Sequence, residues 1–119
     1  MRKKPLASLK KTGEFSRVFK KGRPVSGNLF VVHACPNDSG VPRLGLVVSK
    51  KVGGAVSRNR IRRLIKEACR QMDVCFGGFD IVVQSRVHAA EALKHDGFRQ
   101  ASGELMSAFL QLGLVEIKQ

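Results

Sequence analysis

The 119-residue chain contains no tryptophan and no tyrosine, and it has few acidic side chains. Nine Asp and Glu residues stand against 22 Lys and Arg residues, so the formal net charge is +13 at pH 7. Basic helices that bind membrane surfaces usually carry Trp, Phe or Leu on the opposite face, and a membrane-spanning helix needs about 20 apolar residues in a row. The sequence shows neither pattern, and its excess of basic residues favours a polyphosphate as the partner.

The chain has only three cysteines, Cys35, Cys69 and Cys75. Their odd number and the lack of closely spaced pairs argue against both a disulfide framework and a zinc site. We therefore expect reduced thiols in the core. The basic N-terminus also lacks the apolar run of about 7–15 residues that a secretory signal requires. A cytoplasmic protein is the simplest interpretation.

Groupings typical of active sites are missing as well. His33 falls on a predicted strand, while His88 and His95 fall in a connecting region. No Ser or Cys nucleophile stands in a recognisable pattern with a base and an orienting group. Gly53-Gly54 lacks the Lys-Ser/Thr ending of a phosphate-binding loop. We therefore predict a binding protein with no catalytic residues and no metal ligands of its own.

The basic residues are concentrated in two blocks. Residues 1–23 contain nine bases and one acid, residues 50–70 contain eight bases and one acid, and the rest of the chain sums to −2. Such blocks are typical of a protein that binds nucleic acid. We predict a flexible basic arm over residues 1–11, where Pro5 disfavours an early helix, and a single α+β domain over residues 12–119.

The second block is predicted to form an amphipathic helix. Its apolar residues recur at i, i+3, i+4, i+7, i+8 and i+11, which places them on one helical face. They are Ile61, Leu64, Ile65, Ala68, Cys69 and Met72. The opposite face carries Asn59, Arg63, Lys66 and Arg70, with Arg60 and Arg62 at its flanks. A solvated helix would mix acids with these bases, and Glu67 is the only acid among them. This face is therefore predicted to contact anions.

The remaining segments predict further helices and strands. A short helix is expected between an N-cap at Thr12 and a left-handed Gly22, a helical turn near residues 87–93, and a last helix after Asp96. Strands are predicted over residues 28–35, 44–50 and 79–84, with the first two joined as a hairpin. This order predicts an α+β fold, a two-layer sandwich with helices on one side of a small mixed sheet.

Alternation along the strands assigns side chains to faces. Val31 and His33 would share one face of the first strand, and Val47, Ser49 and Lys51 would share one face of the second. The second set mixes polar and apolar residues, so it need not belong to the core.

The basic helix and the turn before it also carry a specific pattern. The run KKVGGAV at residues 50–56 is followed by Arg58-Asn59-Arg60, by Arg62-Arg63, and by the sequence LIKE at residues 64–67. This combination closely resembles the signature of the protein subunit of bacterial ribonuclease P. Residues 15–22, 44–51 and 80–86 resemble the first helix and two strands of that family, so the resemblance covers nearly the whole chain.

The resemblance implies a function and a fold. The protein would pair with a large catalytic RNA and assist removal of the 5′ leader from precursor tRNA. The RNA would bind the Mg²⁺ ions and cleave the substrate, so no tightly bound cofactor is expected on the protein. The implied fold is that of ribosomal protein S5 domain 2, with a left-handed βαβ crossover around the signature helix. The general rule for such crossovers would have predicted a right-handed one.

The resemblance also implies two binding surfaces. The catalytic RNA would contact Arg58, Asn59, Arg60, Arg62, Arg63, Lys66 and Arg70. A cleft between the first helix and the sheet would bind the single-stranded leader through Phe15, Phe19, Val31, His33, Val47, Ser49 and Lys51. Aromatic faces stack unpaired bases with little regard to sequence. His33 departs from the family, in which this position often carries an aromatic residue such as Tyr. The alternative for Phe15 and Phe19 is that they belong to the core.

Two other functions fit the composition. A ribosomal-type or RNA-chaperone protein would bind folded RNA through its phosphates and would not need the aromatic cleft. A protein that binds double-stranded DNA would present its recognition helix after a tight helix-turn-helix, whereas the basic helix here follows a strand. The cleft residues therefore favour a protein that binds single-stranded RNA.

Overall fold

The computed structural model describes residues 7–71 and 78–114. Within these ranges the strands are β1 (Ala7–Ser8), β2 (Arg23–Ser26), β3 (Phe30–Pro36), β4 (Arg43–Val47) and β5 (Phe79–Ser85). The helices are α1 (Thr12–Lys21), α2 (Ala55–Gln71), α3 (Ala89–Ala92) and α4 (Gly97–Gln111), and a 3-10 turn (Lys50–Val52) precedes α2. The predicted elements are confirmed with shifted ends. Met72 and Cys75 lie outside the described residues.

The strands form one mixed sheet in the order β1-β4-β5-β3-β2. β4 runs parallel to β1 and β5, while β3 runs antiparallel to β5 and β2. The α+β prediction is confirmed, but the predicted hairpin between β3 and β4 is wrong because β5 lies between them. Ile81, Val82 and Val83 of β5 are fully buried, and a strand that is apolar on both faces belongs at the centre of a sheet. The left hand of the β4-α2-β5 crossover stays a prediction.

Helices cover both faces of the sheet, so the prediction of helices on one side is wrong for α1. Ile81 and Val83 belong to the main core, together with buried residues of α2 and α4. Val82 lies between them in sequence and packs with Val18 of α1 in a second, smaller cluster. Successive side chains of a strand point to opposite faces. Three apolar residues in a row therefore require cover on both sides.

The main core confirms the predicted buried side of α2 and also includes one side of α4. From α2 it includes Ile61, Ile65, Ala68 and Cys69, and from α4 it includes Ala101, Leu105, Ala108 and Phe109. Phe98, at the start of α4, is partly exposed. Burial raises the pKa of the Cys69 thiol to about 12. Cys35 and Cys69 are both free and buried, as expected.

The predicted flexible arm over residues 1–11 is wrong from Ala7 onward. The Ala7 N–H donates to the Pro42 carbonyl at 3.2 Å and the Leu9 N–H donates to the Leu44 carbonyl at 3.0 Å, so β1 extends the sheet beside β4. Leu9 is buried in the smaller cluster under α1. Pairing of backbone groups and burial of this one leucine order a segment whose composition suggested disorder.

The ends of α1 also differ from the prediction. The helix begins at Thr12, and Lys11 is the N-cap residue. Gly22 is extended rather than left-handed, with φ −79° and ψ 156°, because the chain passes directly into β2. Glycine is required there for close approach, since a Cβ atom would lie 2.4 Å from the Val18 carbonyl oxygen.

Candidate nucleic-acid interface

The polar side of α2 forms a basic surface. Asn59, Arg63, Lys66 and Arg70 are exposed, whereas Arg58, Arg60 and Arg62 are half-buried at its edges. This arrangement follows from the apolar stripe on the opposite side of the helix, which is buried against the sheet and α4. We call these seven residues the basic face. Their charges have little acidic compensation within α2, because Glu67 is the one acid in that helix.

Three arginines of the basic face have partners within the protein, and the weakest of these contacts joins Arg62 Nη1 to Asn59 Oδ1 at 3.5 Å. The Arg60 guanidinium donates to the Leu93 carbonyl and packs close to Gly97, where a Cβ atom would lie 3.0 Å from Arg60 Nη2. Arg70 Nη1 lies 3.2 Å from Glu67 Oε2 in an exposed ion pair. Arg60 therefore connects α2 to the segment between α3 and α4, and only part of its donor set is available to another molecule.

The other candidate surface lies on the opposite side of the sheet, beside α1. Strand register aligns Val47, Gln84 and Val31 in one row across β4, β5 and β3, and the next row consists of Gly45, Val82 and His33. α1 packs over the second row, while Val47 and Val31 are half-buried and Gln84 is exposed. We call this partly uncovered area, with His33, Phe15 and Phe19 at its border, the open face.

Two aromatic side chains of α1 border the open face. The Phe15 ring lies directly on Gly45, where a Cβ atom would come within 2.5 Å of Phe15 Cε1. Phe19 is 41% exposed and meets the His33 ring edge-on, with the centroids 4.8 Å apart and the planes at 76°. Phe15 is therefore mostly a packing residue, in line with the alternative that it belongs to the core. Phe19 retains a surface on which a planar group can stack.

His33 is the titratable group of the open face. Burial lowers its pKa below the ordinary value for histidine, and the neighbouring Gln84 side chain opposes this shift. Among the described residues neither imidazole nitrogen has a hydrogen-bond partner of good geometry, so the contact with Gln84 is weak. Both nitrogens are buried, so the neutral ring offers the open face an apolar contact and not a hydrogen-bond acceptor.

The sequence grouped seven residues into this cleft, and the structure brings five of them together. The two others, Ser49 and Lys51, are exposed but lie beyond the end of β4. Strand alternation does not extend to Lys51 because a 3-10 turn begins at Lys50, and Ser49 is the cap residue of that turn. Gln84 was missed. Its signal was present, since a polar residue that alternates with buried Val82 on the central strand must share its face.

A cluster of charges behind α1 was also missed. Asp80 is fully buried at the start of β5 and accepts two hydrogen bonds of 2.7 Å from Arg43, one of 2.8 Å from Asn37, and a longer ionic contact of 3.5 Å from Arg17. Arg43 also donates to Glu14 at 2.7 Å. We call these five residues the rear network. The sequence indicated this network only through Asp80, a single acid directly before a run of apolar strand residues.

The rear network determines how its carboxylates titrate. Burial alone would raise the pKa of Asp80, but hydrogen bonds from Arg43 and Asn37 and the charges of Arg43 and Arg17 outweigh it and lower the pKa. Backbone N–H groups of Lys11 and Lys10 are the main cause of the lowered pKa of Glu14. Both carboxylates are therefore charged at neutral pH.

Other kinds of site are absent from the parts of the chain that the structure describes. No group of three or more His, Cys, Asp or Glu residues has the arrangement of a metal site there. His88 and His95 are exposed and separate from the open face. None of the helices in residues 7–71 and 78–114 has the length and apolar character needed to span a membrane.

Comparisons with known proteins agree with this architecture. The sequence model of the family described as Ribonuclease P matches residues 4–110. The chain is 42% identical over 90 residues to the ribonuclease P protein component of Clostridioides difficile (strain 630), which covers 74% of this chain and 79% of that protein. It is 43% identical over 96 residues to that of Caldanaerobacter subterraneus subsp. tengcongensis, covering 80% and 82%.

Solved structures give the same result. The RNase P protein of Staphylococcus aureus superimposes with a TM-score of 0.82 at 32% identity, covering 94% of this chain and all of that one. The RNase P protein of Thermotoga maritima superimposes with a TM-score of 0.77 at 31% identity, covering 98% and 100%. Sequence and structure thus agree over most of the chain, and the protein belongs to the ribonuclease P protein family.

Proposed function

We propose that this protein is the protein component of ribonuclease P, and that it binds the catalytic RNA and the single-stranded 5′ leader of precursor tRNA. The observation that carries the proposal is the separation of two different surfaces by one sheet. The basic face suits phosphates, while the open face offers the partly exposed Phe19 ring beside apolar and amide groups. A protein that only clamps folded RNA would need the first surface alone.

The basic face is assigned to the catalytic RNA. Asn59, Arg63 and Lys66 are exposed along about two turns of α2, and Arg62 is half-buried beside them. Several positive charges on one helix face can neutralise phosphates of an RNA backbone. Arg58, Arg60 and Arg70 complete the assignment, although Arg60 also has the structural contact with Leu93. The catalytic chemistry and the Mg²⁺ ions are assigned to the RNA, and a cytoplasmic location stays a prediction.

The open face is assigned to the leader. An unpaired base can stack on Phe19 with His33 beside it, and Val31 and Val47 provide an apolar floor under the next base. Ser49 and Lys51 are assigned to the backbone of the leader beyond the end of β4, where both are exposed. Stacking does not require a particular base, so leaders of different sequence can bind.

The first prediction tests the function directly. Adding the protein to a bacterial ribonuclease P RNA should lower the Mg²⁺ concentration at which half of a precursor tRNA is cleaved at its 5′ side. The reason is that the basic side chains replace part of the cationic screening that the RNA otherwise takes from Mg²⁺. Cleavage is measured on gels across a Mg²⁺ titration, with lysozyme as a basic control protein. An unchanged Mg²⁺ midpoint would contradict the proposed function.

A further inference from the structure

α1 has three distinct sides, and each side contacts something different. Val18 is fully buried and points down onto the sheet. At 100° per residue, Phe15 and Phe19 lie about 60° and 100° from Val18 in one direction, whereas Glu14 and Arg17 lie about 40° and 100° from it in the other. The aromatic residues therefore border the open face, and the two charged residues are on the opposite flank of the helix.

The charged flank is fastened to the sheet by the rear network. Arg43 donates to the Asp80 carboxylate from Nε and Nη2 and to the Glu14 carboxylate from Nη1. Arg17 adds a hydrogen bond of 2.9 Å to the Pro36 carbonyl. Asp80 is buried, and Arg43 and Glu14 are only about a quarter exposed. This geometry is therefore more restrictive than that of an ordinary surface ion pair.

The aromatic flank has no comparable attachment in the described structure. Phe15 contacts the sheet through the space left by Gly45, and Phe19 touches it through a perpendicular ring contact with His33. Rotation of α1 about Val18 would therefore move Phe19 away from His33 and the open face, and the rear network opposes that rotation. The helix is short, at ten residues, so displacement of one flank is transmitted to the other.

We propose that Glu14, Arg43 and Asp80 are positioning residues for leader binding. They fix the orientation of α1 through its charged flank, so that Phe19 stays where an unpaired base on the open face can stack on it. This inference rests on the proposed function of that face. It assigns no contact with RNA to the three residues. Their effect acts through Phe19, and this distinguishes it from a general contribution to stability.

The test uses the holoenzyme reconstituted from the full-length protein and the catalytic RNA. Dissociation constants are measured for precursor tRNA with a long leader and for the same tRNA with a one-nucleotide leader. The leader gain is the dissociation constant with the one-nucleotide leader divided by that with the long leader. Glu14→Ala should lower the leader gain about fivefold, the low end of what one stacked base contributes. Arg43→Lys, which keeps the charge but loses the guanidinium fork, should lower it less.

Glu91→Ala is the matched control, because Glu91 also forms an ion pair, with Lys94 at 2.8 Å, but lies on α3 away from α1. Its leader gain should equal that of the wild type. In a Phe19→Ala background, Glu14→Ala should have almost no further effect on the leader gain, since the residue through which it acts is gone. Equal effects of Glu14→Ala with and without Phe19 would overturn the proposal.

A measurement on the free protein separates this inference from the proposed function. If Glu14→Ala loosens α1, His33 becomes more exposed, and its pKa, followed by NMR, should rise toward the ordinary histidine value. Glu14→Gln serves as a second variant if the alanine variant fails to fold. An unchanged His33 titration in folded variants would overturn the positioning role. A wild-type holoenzyme without any leader gain would instead contradict the proposed leader site.

Discussion

Asp80 is buried and charged, a combination that destabilises a protein unless donors replace the lost water. Here Arg43, Asn37 and Arg17 provide them, and the result is a lowered pKa. A carboxylate with a lowered pKa in the folded state stabilises the protein fully above the pKa of the unfolded chain. That contribution is lost as the pH falls through the folded-state pKa.

The prediction for this residue concerns stability against pH. Asp80→Asn should lower the free energy of unfolding by about 1.5–3 kcal/mol at neutral pH, because hydrogen bonds to a charged group are replaced by weaker ones. The difference from the wild type should begin to shrink below pH 3.8, the ordinary value for Asp, where the unfolded chain takes up a proton at this position. It should shrink further as folded Asp80 is protonated at its lower pKa. Urea denaturation at a series of pH values measures this difference.

Asp38→Asn is the control for that experiment, because Asp38 is an exposed acid in the connection between β3 and β4. It should change the free energy of unfolding by less than about 0.5 kcal/mol. A difference between Asp80→Asn and the wild type that persists unchanged through the acid range would show that the charge of Asp80 is not the cause.

Among the elements, α2 has two functions on its two sides. Its apolar side completes the main core, and its basic face is left uncovered by the sheet. The basic face is itself divided, since the Arg60 guanidinium is bound to the Leu93 carbonyl while Arg63 and Lys66 are exposed. Alanine at these positions should therefore produce different effects.

Arg62→Ala with Arg63→Ala should weaken binding to the catalytic RNA and reduce the slope of log affinity against log salt by roughly one unit for each phosphate that the variant no longer binds. Thermal stability should change little. Arg60→Ala should also lower the free energy of unfolding by about 1–3 kcal/mol, because the Leu93 carbonyl loses a charged donor. Filter binding at several salt concentrations and thermal denaturation measure the two effects.

Lys20→Ala is the control for loss of positive charge, because Lys20 belongs to α1 on the other side of the sheet. Its salt slope for the catalytic RNA should match the wild type. If Arg62→Ala with Arg63→Ala leaves the slope unchanged, the basic face is a solvated surface that binds no phosphates.

At the scale of the whole molecule, one sheet separates the two surfaces. α1 and the open face lie on the side of Val82, and α2 and α4 lie on the side of Ile81 and Val83. α1 and α2, which carry bases of the first and the second basic block, therefore lie on opposite faces of a small protein whose Cα radius of gyration is 13.5 Å. The two RNA segments proposed above would therefore not compete for space.

This separation predicts independent effects. Phe19→Ala should reduce the leader gain about fivefold or more and leave affinity for the catalytic RNA unchanged. Arg62→Ala with Arg63→Ala should weaken affinity for the catalytic RNA. The leader gain of this variant should equal that of the wild type when it is measured with saturating catalytic RNA. Additivity is expected because the sites share no partners. A variant on one face that altered both measurements equally would contradict the separation of the two surfaces.

Several features could be predicted from the sequence alone because they depend on local pattern. The apolar stripe of α2 identified both its buried side and its basic face, and the run at residues 50–67 indicated the family. Alternation along β3 placed Val31 and His33 together, since the period of a strand is independent of its neighbours. The existence of the helices and of β3, β4 and β5 followed from the same local signals.

Only the tertiary structure decided which elements meet. Local pattern could not show that β5 lies between β3 and β4, that β1 orders residues 7–8, or that α1 covers the second face of the sheet. Nor could it pair Arg43 with Asp80 and Glu14, which are 37 and 29 residues away in sequence. Such contacts depend on the burial of both faces of a central strand and on the pairing of distant charges. Both are properties of the assembled chain.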